Sequence, residues 1–304
     1  YAIVGSVRMC IRDRYFDGGG SASAKLYWRV PDTDQRAVID LYGEAGNIMR
    51  KCDLTVAVLG INQSIEREGQ DRSSIELPKE QQAFIEEAYK INPNTVVVLV
   101  AGSSLAINWM DEHIPAIVNA WYPGEAGGTA ITEVLFGDYN PGGRLPLTYY
   151  NSLDELPAFN DYDIRKGRTY QFFEGKPLYA FGYGLSYTTF SYKKLNIDSS
   201  GDTVKVSFTL KNTGKYEGDE VAQLYVKYQG TDSSVKMPLK QLKGFERVHL
   251  KKGESRQVIL TVPKSELRFW DEAKGEFFTP SGDYLFMVGT ASDAIQLQQI
   301  VTLK

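Results

Sequence analysis

Leu54-Thr55-Val56-Ala57-Val58-Leu59-Gly60 carries apolar side chains at successive positions rather than at every second one. A strand with one face in water alternates polar and apolar residues, so this run reads as a strand covered on both faces, as in a parallel sheet. Thr95-Val96-Val97-Val98-Leu99-Val100-Ala101 repeats the pattern. Between the two, Pro78 stands at a first helical position, and Gln82 to Ile91 has the spacing of an amphipathic helix that stops at Asn92-Pro93-Asn94. Upstream, after a Gly/Ser-rich patch at Gly18 to Ser23, helical spacing runs from Gln35 to Arg50 through Val38, Ile39, Leu41, Tyr42, Ala45, Ile48 and Met49. Downstream, Asn108 to His113 reads as a short helix, Ala116 to Trp121 as a third strand, Thr129 to Phe136 as a helix and Leu145 to Tyr149 as a last short strand. Strand and helix alternate to about residue 150, which predicts an α/β sandwich, a mostly parallel sheet flanked by helices.

From Tyr192 the texture changes. Val204-Lys205-Val206-Ser207-Phe208-Thr209-Leu210 alternates residue by residue, and turn signals recur at Asn212-Thr213-Gly214, Lys252-Gly253 and Ser281-Gly282 without helices between. This is the pattern of a small antiparallel β-sandwich. Asn151 to Ser191, rich in proline and tyrosine, reads as a connector lying against other surfaces.

The chain of 304 residues is 42% apolar and 12% aromatic, enough for two cores. A net charge of −4 without a basic run lacks the footprint of a nucleic-acid binder. No stretch approaches the roughly 18 continuous apolar residues of a membrane span, and the first residues show no signal-peptide pattern. The chain starts at Tyr1 rather than Met, which fits a piece whose targeting signal is not in this sequence. Two cysteines, Cys10 and Cys52, form neither a disulfide framework nor a zinc spacing. Met9-Cys10-Ile11-Arg12-Asp13 resembles a translated sequencing-library adapter, which would make residues 1–14, Cys10 among them, foreign to the natural protein.

Chemistry concentrates in one loop, Ser64-Ile65-Glu66-Arg67-Glu68-Gly69-Gln70-Asp71-Arg72, at the carboxyl end of the first strand. Ligands of open α/β sheets sit at such ends. Glu66, Glu68 and Asp71 crowd like charge, the arrangement that raises the pKa of one carboxyl into the range of a general acid, while Arg67 and Arg72 hold the others ionised. The plain alternative is a solvated charged loop. Asp71 and Arg72 read as a local ion pair that shapes the loop. Trp121 and Tyr122, at the end of the third strand, either stack on a ligand or pack inward. Other chemistries lack parts. Gly124, Gly127 and Gly128 miss the dinucleotide spacing and sit beside Glu125. No G-x-S-x-G surrounds Ser103-Ser104. His113 and His249 are too few for a metal cluster. Asp161 and Asp163 fit a turn better than a cation site. Neither cofactor nor metal is expected.

Gly60-Ile61-Asn62-Gln63 leading into this loop, then Ile75-Glu76-Leu77-Pro78, resembles the second domain of family 3 glycoside hydrolases, especially its β-xylosidase branch. Ala120-Trp121-Tyr122-Pro123-Gly124-Glu125-Ala126-Gly127-Gly128 and Leu135-Phe136-Gly137-Asp138-Tyr139-Asn140-Pro141-Gly142-Gly143-Arg144-Leu145-Pro146 resemble the family's next segments in order. Pro177-Leu178-Tyr179-Ala180-Phe181-Gly182-Tyr183-Gly184-Leu185-Ser186-Tyr187-Thr188-Thr189-Phe190 resembles the entry into its terminal fibronectin type III-like domain, and Phe269-Trp270-Asp271 with Pro280-Ser281-Gly282-Asp283-Tyr284 the later strands. The resemblance implies an α/β sandwich over 24–150, a linker over 151–191 and a fibronectin type III-like β-sandwich over 192–304. It implies the C-terminal portion of a retaining, exo-acting β-glycosidase for xylo-oligosaccharides or β-glucosides; the size of such substrates, met outside the cytoplasm, suggests a secreted or periplasmic protein. The family's N-terminal barrel, which supplies the aspartate nucleophile, has no counterpart in this sequence, so the chain alone is expected to be inactive. The general acid/base implied is Glu68, from the frame Glu68-Gly69-Gln70-Asp71-Arg72, with Glu66 as the alternative. A non-catalytic carbohydrate-binding or interaction module is the competing reading.

Overall fold

A computed structural model describes residues 43, 45–230 and 235–304. The two apolar runs form β1 (Thr55–Gly60) and β2 (Thr95–Val100), paired in parallel with Thr55 beside Thr95 and Gly60 beside Val100. The third strand, β3 (Ala116–Asn119), lies parallel along the other side of β2. The central strand is the most apolar for a physical reason: Val97, Val98 and Leu99 are buried, and β-branched side chains tolerate that doubly covered position. Helix α1 (Lys79–Ile91) packs on β1 and buries Ile85 and Ala88. Residues 45–49 are helical, with Met49 buried. The rest of the helix expected from Gln35, the Gly/Ser patch, Cys10 and residues 1–14 lie outside the described residues.

The turn after α1 is held by one residue. Asn92 Nδ2 donates to the Cys52 carbonyl at 2.9 Å, Asn92 Oδ1 accepts from Asn94 N at 3.0 Å, and the Asn92 carbonyl accepts from Thr95 Oγ1 at 2.6 Å. Pro78 sits one step before the first helical residue, at φ −50° and ψ 136°, rather than inside the first turn. A further helix, α2 (Asn108–His113), precedes β3.

Two expected strand ends are corrected. The third strand stops at Asn119 instead of Trp121: Ala120 N still donates to the Leu99 carbonyl at 2.8 Å, but Trp121 then adopts a left-handed φ of 53°, outside the extended region. Leu145 to Tyr149 is not a strand of the parallel sheet. Leu145 exchanges hydrogen bonds with Gly182 and Tyr183, and Tyr149 bridges Tyr179 antiparallel. Pro146 between them has no N–H to donate, so a continuous ladder cannot form.

By compactness the described residues fall into two units. The first comprises those up to Asp71, Leu77–Gly102 and Trp109–Tyr122; the second comprises Arg72–Glu76, Ser103–Asn108 and Pro123–Lys304. The second includes α3 (Gly127–Phe136), closed by Gly137 in the left-handed conformation, and the short helix α4 (Thr169–Phe172). Its β-sandwich consists of β4 (Phe190–Asp198), β5 (Thr203–Asn212), β6 (Gly218–Tyr228), β7 (Gln241–Leu250), β8 (Ser255–Pro263), β9 (Phe269–Asp271), β10 (Glu276–Phe278), β11 (Gly282–Ala291) and β12 (Ala294–Leu303). One sheet has the order β12-β11-β6-β7 and the other β4-β5-β8, and β9 with β10 makes a hairpin, all pairs antiparallel. Alternation dictates the core: Val204, Val206, Phe208 and Leu210 of β5 point inward to meet Leu224, Val226, Tyr284 and Phe286.

Two polar groups are buried where the connector meets this sandwich. Arg144 Nη2 donates to Glu220 Oε1 of β6 at 3.2 Å, with both side chains almost wholly buried. Gln223 Nε2 donates to the carbonyls of Gly182 and Thr290, and its Oε1 accepts from Tyr225 Oη. Gly182 has φ 84°, and a Cβ there would collide with the Gln223 amide, so the close approach requires glycine.

Candidate active site

The Glu68 loop leaves β1 through Gly60, whose φ of 144° is open to glycine, and where a Cβ would run into the Val100 carbonyl. Gln81, in the first turn of α1, grips this residue from both sides: Gly60 N donates to Gln81 Oε1 at 2.7 Å, and Gln81 Nε2 donates to the Gly60 carbonyl at 2.7 Å. A side-chain amide thus pairs with the outer edge of β1 as a neighbouring strand would. Asn62 builds the next bend. Its Oδ1 accepts from Ser64 N and Oγ at 2.9 and 2.6 Å, while its carbonyl accepts from the backbone N–H groups of Ile65 and Glu66.

Arg67 and Gln70 then exchange backbone hydrogen bonds at 3.1 and 2.9 Å. The two residues between them are Glu68 and Gly69, and Gly69 has φ 74°. With a positive φ at the third position alone, this is the geometry of a type II turn, which demands glycine there. Glu68 is the second residue of that turn, exposed at its tip, with Arg67 exposed beside it and Glu66 half-buried. Gln70 Nε2 donates back to the Ser64 carbonyl at 3.3 Å and Arg67 Nη1 to the Gln63 carbonyl at 3.3 Å, so the loop is braced by its own backbone.

The expected ion pair between Asp71 and Arg72 is replaced by another contact. Asp71 is exposed, and the half-buried Arg72 guanidinium donates through Nη2 to the Ser104 carbonyl. A carbonyl aimed at the guanidinium offers a partner already desolvated, whereas an exposed carboxylate has water to satisfy it. The same segment is tied further by Ala106 N donating to the Ile75 carbonyl at 2.8 Å.

Tyr122 meets the loop at the carboxyl edge of the sheet. Its hydroxyl reaches to 3.5 Å from the Ile61 carbonyl, its ring covers Gly102 so closely that no Cβ fits, and 51% of the residue stays exposed. Trp121 is half-buried. Ile61, Gly102 and Tyr122 follow β1, β2 and β3, so the sheet brings together what the sequence separates.

The remaining candidates have local partners. The His113 ring stacks on Trp109 at 4.4 Å and pairs through Nδ1 with the Trp109 carbonyl. Asp163 caps a short 3₁₀ turn and binds Arg165, and Asp161 binds Lys166 at 2.6 Å. Hydrogen bonding by Lys166 and Arg165 holds these two carboxyls below their usual pKa. Among the described residues no cluster of His, Cys, Asp and Glu has metal-site geometry, and no helix is long and apolar enough to cross a membrane. Gln81 was not legible from the sequence: a glutamine in a helix's first turn carries no spacing signal, and only the fold shows what it reaches.

Residues 2–187 match the family model described as the glycosyl hydrolase family 3 C-terminal domain, and residues 220–292 match a fibronectin type III-like domain. The chain belongs to glycosyl hydrolase family 3. It is 42% identical over 227 residues to a xylan 1,4-beta-xylosidase of Xylanibacter ruminicola, covering 74% of this chain and 26% of that protein. It is 37% identical over 292 residues to a beta-glucosidase of Kluyveromyces marxianus, covering 91% of this chain and 34% of the relative. The crystal structure of that beta-glucosidase in complex with glucose is similar over 90% of this chain and 34% of its own, with a TM-score of 0.83. A family 3 beta-glucosidase structure from Bifidobacterium adolescentis gives 0.81 at 29% identity, covering 90% of this chain and 42% of that one. This family 3 chain therefore spans a minor part of the length of the relatives it matches.

Proposed function

We propose that this chain is the C-terminal part of a retaining, exo-acting β-glycosidase acting on xylo-oligosaccharides or β-glucosides, and that Glu68 is its general acid/base. The observation that carries this reading is the type II turn that presents Glu68 at the carboxyl edge of a parallel sheet in a family 3 chain. In the first step the protonated Glu68 carboxyl gives its proton to the glycosidic oxygen as a second carboxylate attacks the anomeric carbon, breaking the glycosidic bond and forming a glycosyl–enzyme ester. In the second, ionised Glu68 takes a proton from water, whose oxygen attacks the anomeric carbon and releases the second carboxylate.

The nucleophile belongs to a barrel domain beyond this sequence. Retaining chemistry needs the two carboxyl groups about 5–5.5 Å apart, and a general acid works best when desolvated. Glu68, exposed at the turn tip, needs a second surface to close over it, and the barrel would supply both. Arg67, Arg72 and Asp71 shape the loop, and Tyr122 and Trp121 line the substrate's approach. Export to the periplasm or medium suits substrates of this kind.

The test is hydrolysis of aryl β-xyloside and aryl β-glucoside by the protein that carries this chain together with the nucleophile domain. Glu68→Ala should lower turnover by roughly 10²–10⁴-fold, and azide should restore it as a glycosyl azide. A Glu68→Ala protein with unchanged rate, alongside a Glu66→Ala protein that responds to azide, would transfer the role to Glu66.

A further inference from the structure

The second unit contains a cleft of about 800 Å³ between the end of α3, the connector around Tyr187 and the start of β6. Four aromatic rings line it, and all are open to solvent: Phe136 is 79% exposed, Tyr216 61%, Tyr187 47% and Tyr139 45%. None of the four belongs to an aromatic pair among the described residues.

Two of these rings are fixed by their hydroxyls. Tyr187 Oη donates to the Val134 carbonyl at 2.7 Å, and Tyr139 Oη accepts from Arg247 Nη2 at 2.7 Å. Arg247 is held in turn by Asp219, whose other oxygen pairs with His249 Nδ1 at 2.7 Å. The walls are joined by Asn140: its Oδ1 accepts from Ser186 Oγ and Tyr187 N, and its Nδ2 donates to the Glu217 carbonyl at 2.8 Å. The cleft is thus pre-formed, and a ligand would order little on binding.

Its chemistry selects the ligand. Arg247 and His249 take up the Asp219 carboxylate, which leaves the lining carboxylates of Asp138 and Glu217 without an ion-pair partner among the described residues, so an anion is disfavoured. Open ring faces beside hydrogen-bond acceptors suit a neutral, hydroxyl-rich ring, which stacks its C–H face on an aromatic and donates its hydroxyls to carboxylates. We infer that this cleft is a non-catalytic binding site for a neutral oligosaccharide. The inference takes its ligand class from the glycosidase reading above, but uses none of the Glu68 loop.

Calorimetric titration of this chain with xylohexaose and cellohexaose, beside an oligogalacturonate of equal length, tests it. Saturable binding of at least one neutral hexaose is expected, weakened on the order of tenfold or more in Phe136→Ala/Tyr216→Ala, with the uronate bound more weakly. Tyr216→Ser alone, at an exposed turn, should weaken binding in the same direction and guards against a folding defect in the double variant. Undetectable binding of both neutral sugars, equal affinity in the variants, or uronate bound as tightly as the neutral sugars would overturn the proposal. So would self-association of the chain that the double variant abolishes, since the occupant would then be a second copy. The titration uses this chain and reads the cleft, whereas the role of Glu68 is read by hydrolysis in the protein that also carries the nucleophile domain, so failure of either reading is seen separately.

Discussion

Gly60 and Gln81 together decide how the Glu68 loop leaves the sheet. Gly60→Ala would place a methyl against the Val100 carbonyl at a φ of 144°. We expect a cost of roughly 2–5 kcal/mol in urea unfolding, from backbone strain plus overpacking. Gln81→Leu keeps the side chain's bulk and removes both 2.7 Å bonds to Gly60. Each orphaned backbone group costs about 1–3 kcal/mol if water cannot reach it. In the active protein, kcat should fall by roughly tenfold with KM changed less, because the loop is displaced rather than the binding surface removed. A matched loss in both constants would count against positioning. Much of this was legible beforehand: the loop, its carboxylates and its place after an apolar strand all follow from Leu54 to Arg72. Asp71 and Arg72 were misread as a pair because adjacency in sequence says nothing of a carbonyl from Ser104.

Among elements, β6 carries the sharpest prediction. Burial pushes the Glu220 carboxyl above its usual value of 4.5, and the opposing pull of Arg144 and Tyr192 does not cancel it. A raised pKa means the folded state holds this proton more tightly than the unfolded chain does. The stability it contributes is complete below pH 4.5 and is lost as pH rises through the folded-state value. Glu220→Gln should therefore flatten the pH dependence of unfolding just above pH 4.5, and a profile identical to the parent's would refute this. Arg144→Met leaves a buried carboxylate uncompensated and should cost about 3–5 kcal/mol, while Arg144→Met/Glu220→Leu should recover most of that. The strands and helices that form here were largely visible as period-two and helical patterns. Leu145 to Tyr149 was not, because its apolar residues are consistent with a strand while its partner, the tyrosine-rich connector, has no periodic signature.

At the scale of the whole molecule, each unit has its own set of buried apolar residues, so unfolding need not be a single transition. Calorimetry should show Gly60→Ala lowering one transition and Arg144→Met the other; a common shift of one transition by both would contradict this. The sequence by itself determined the order of architectures, the family and the Glu68 loop. These depend on local hydrophobic periodicity and on contiguous motifs, which are read along the chain. Only the tertiary structure decided that Gln81 grips Gly60, that Arg144 is buried against Glu220 and that four aromatic rings from separate segments share one cleft. Such contacts join residues tens of positions apart through hydrogen bonds and shape, and no periodicity along the chain records them.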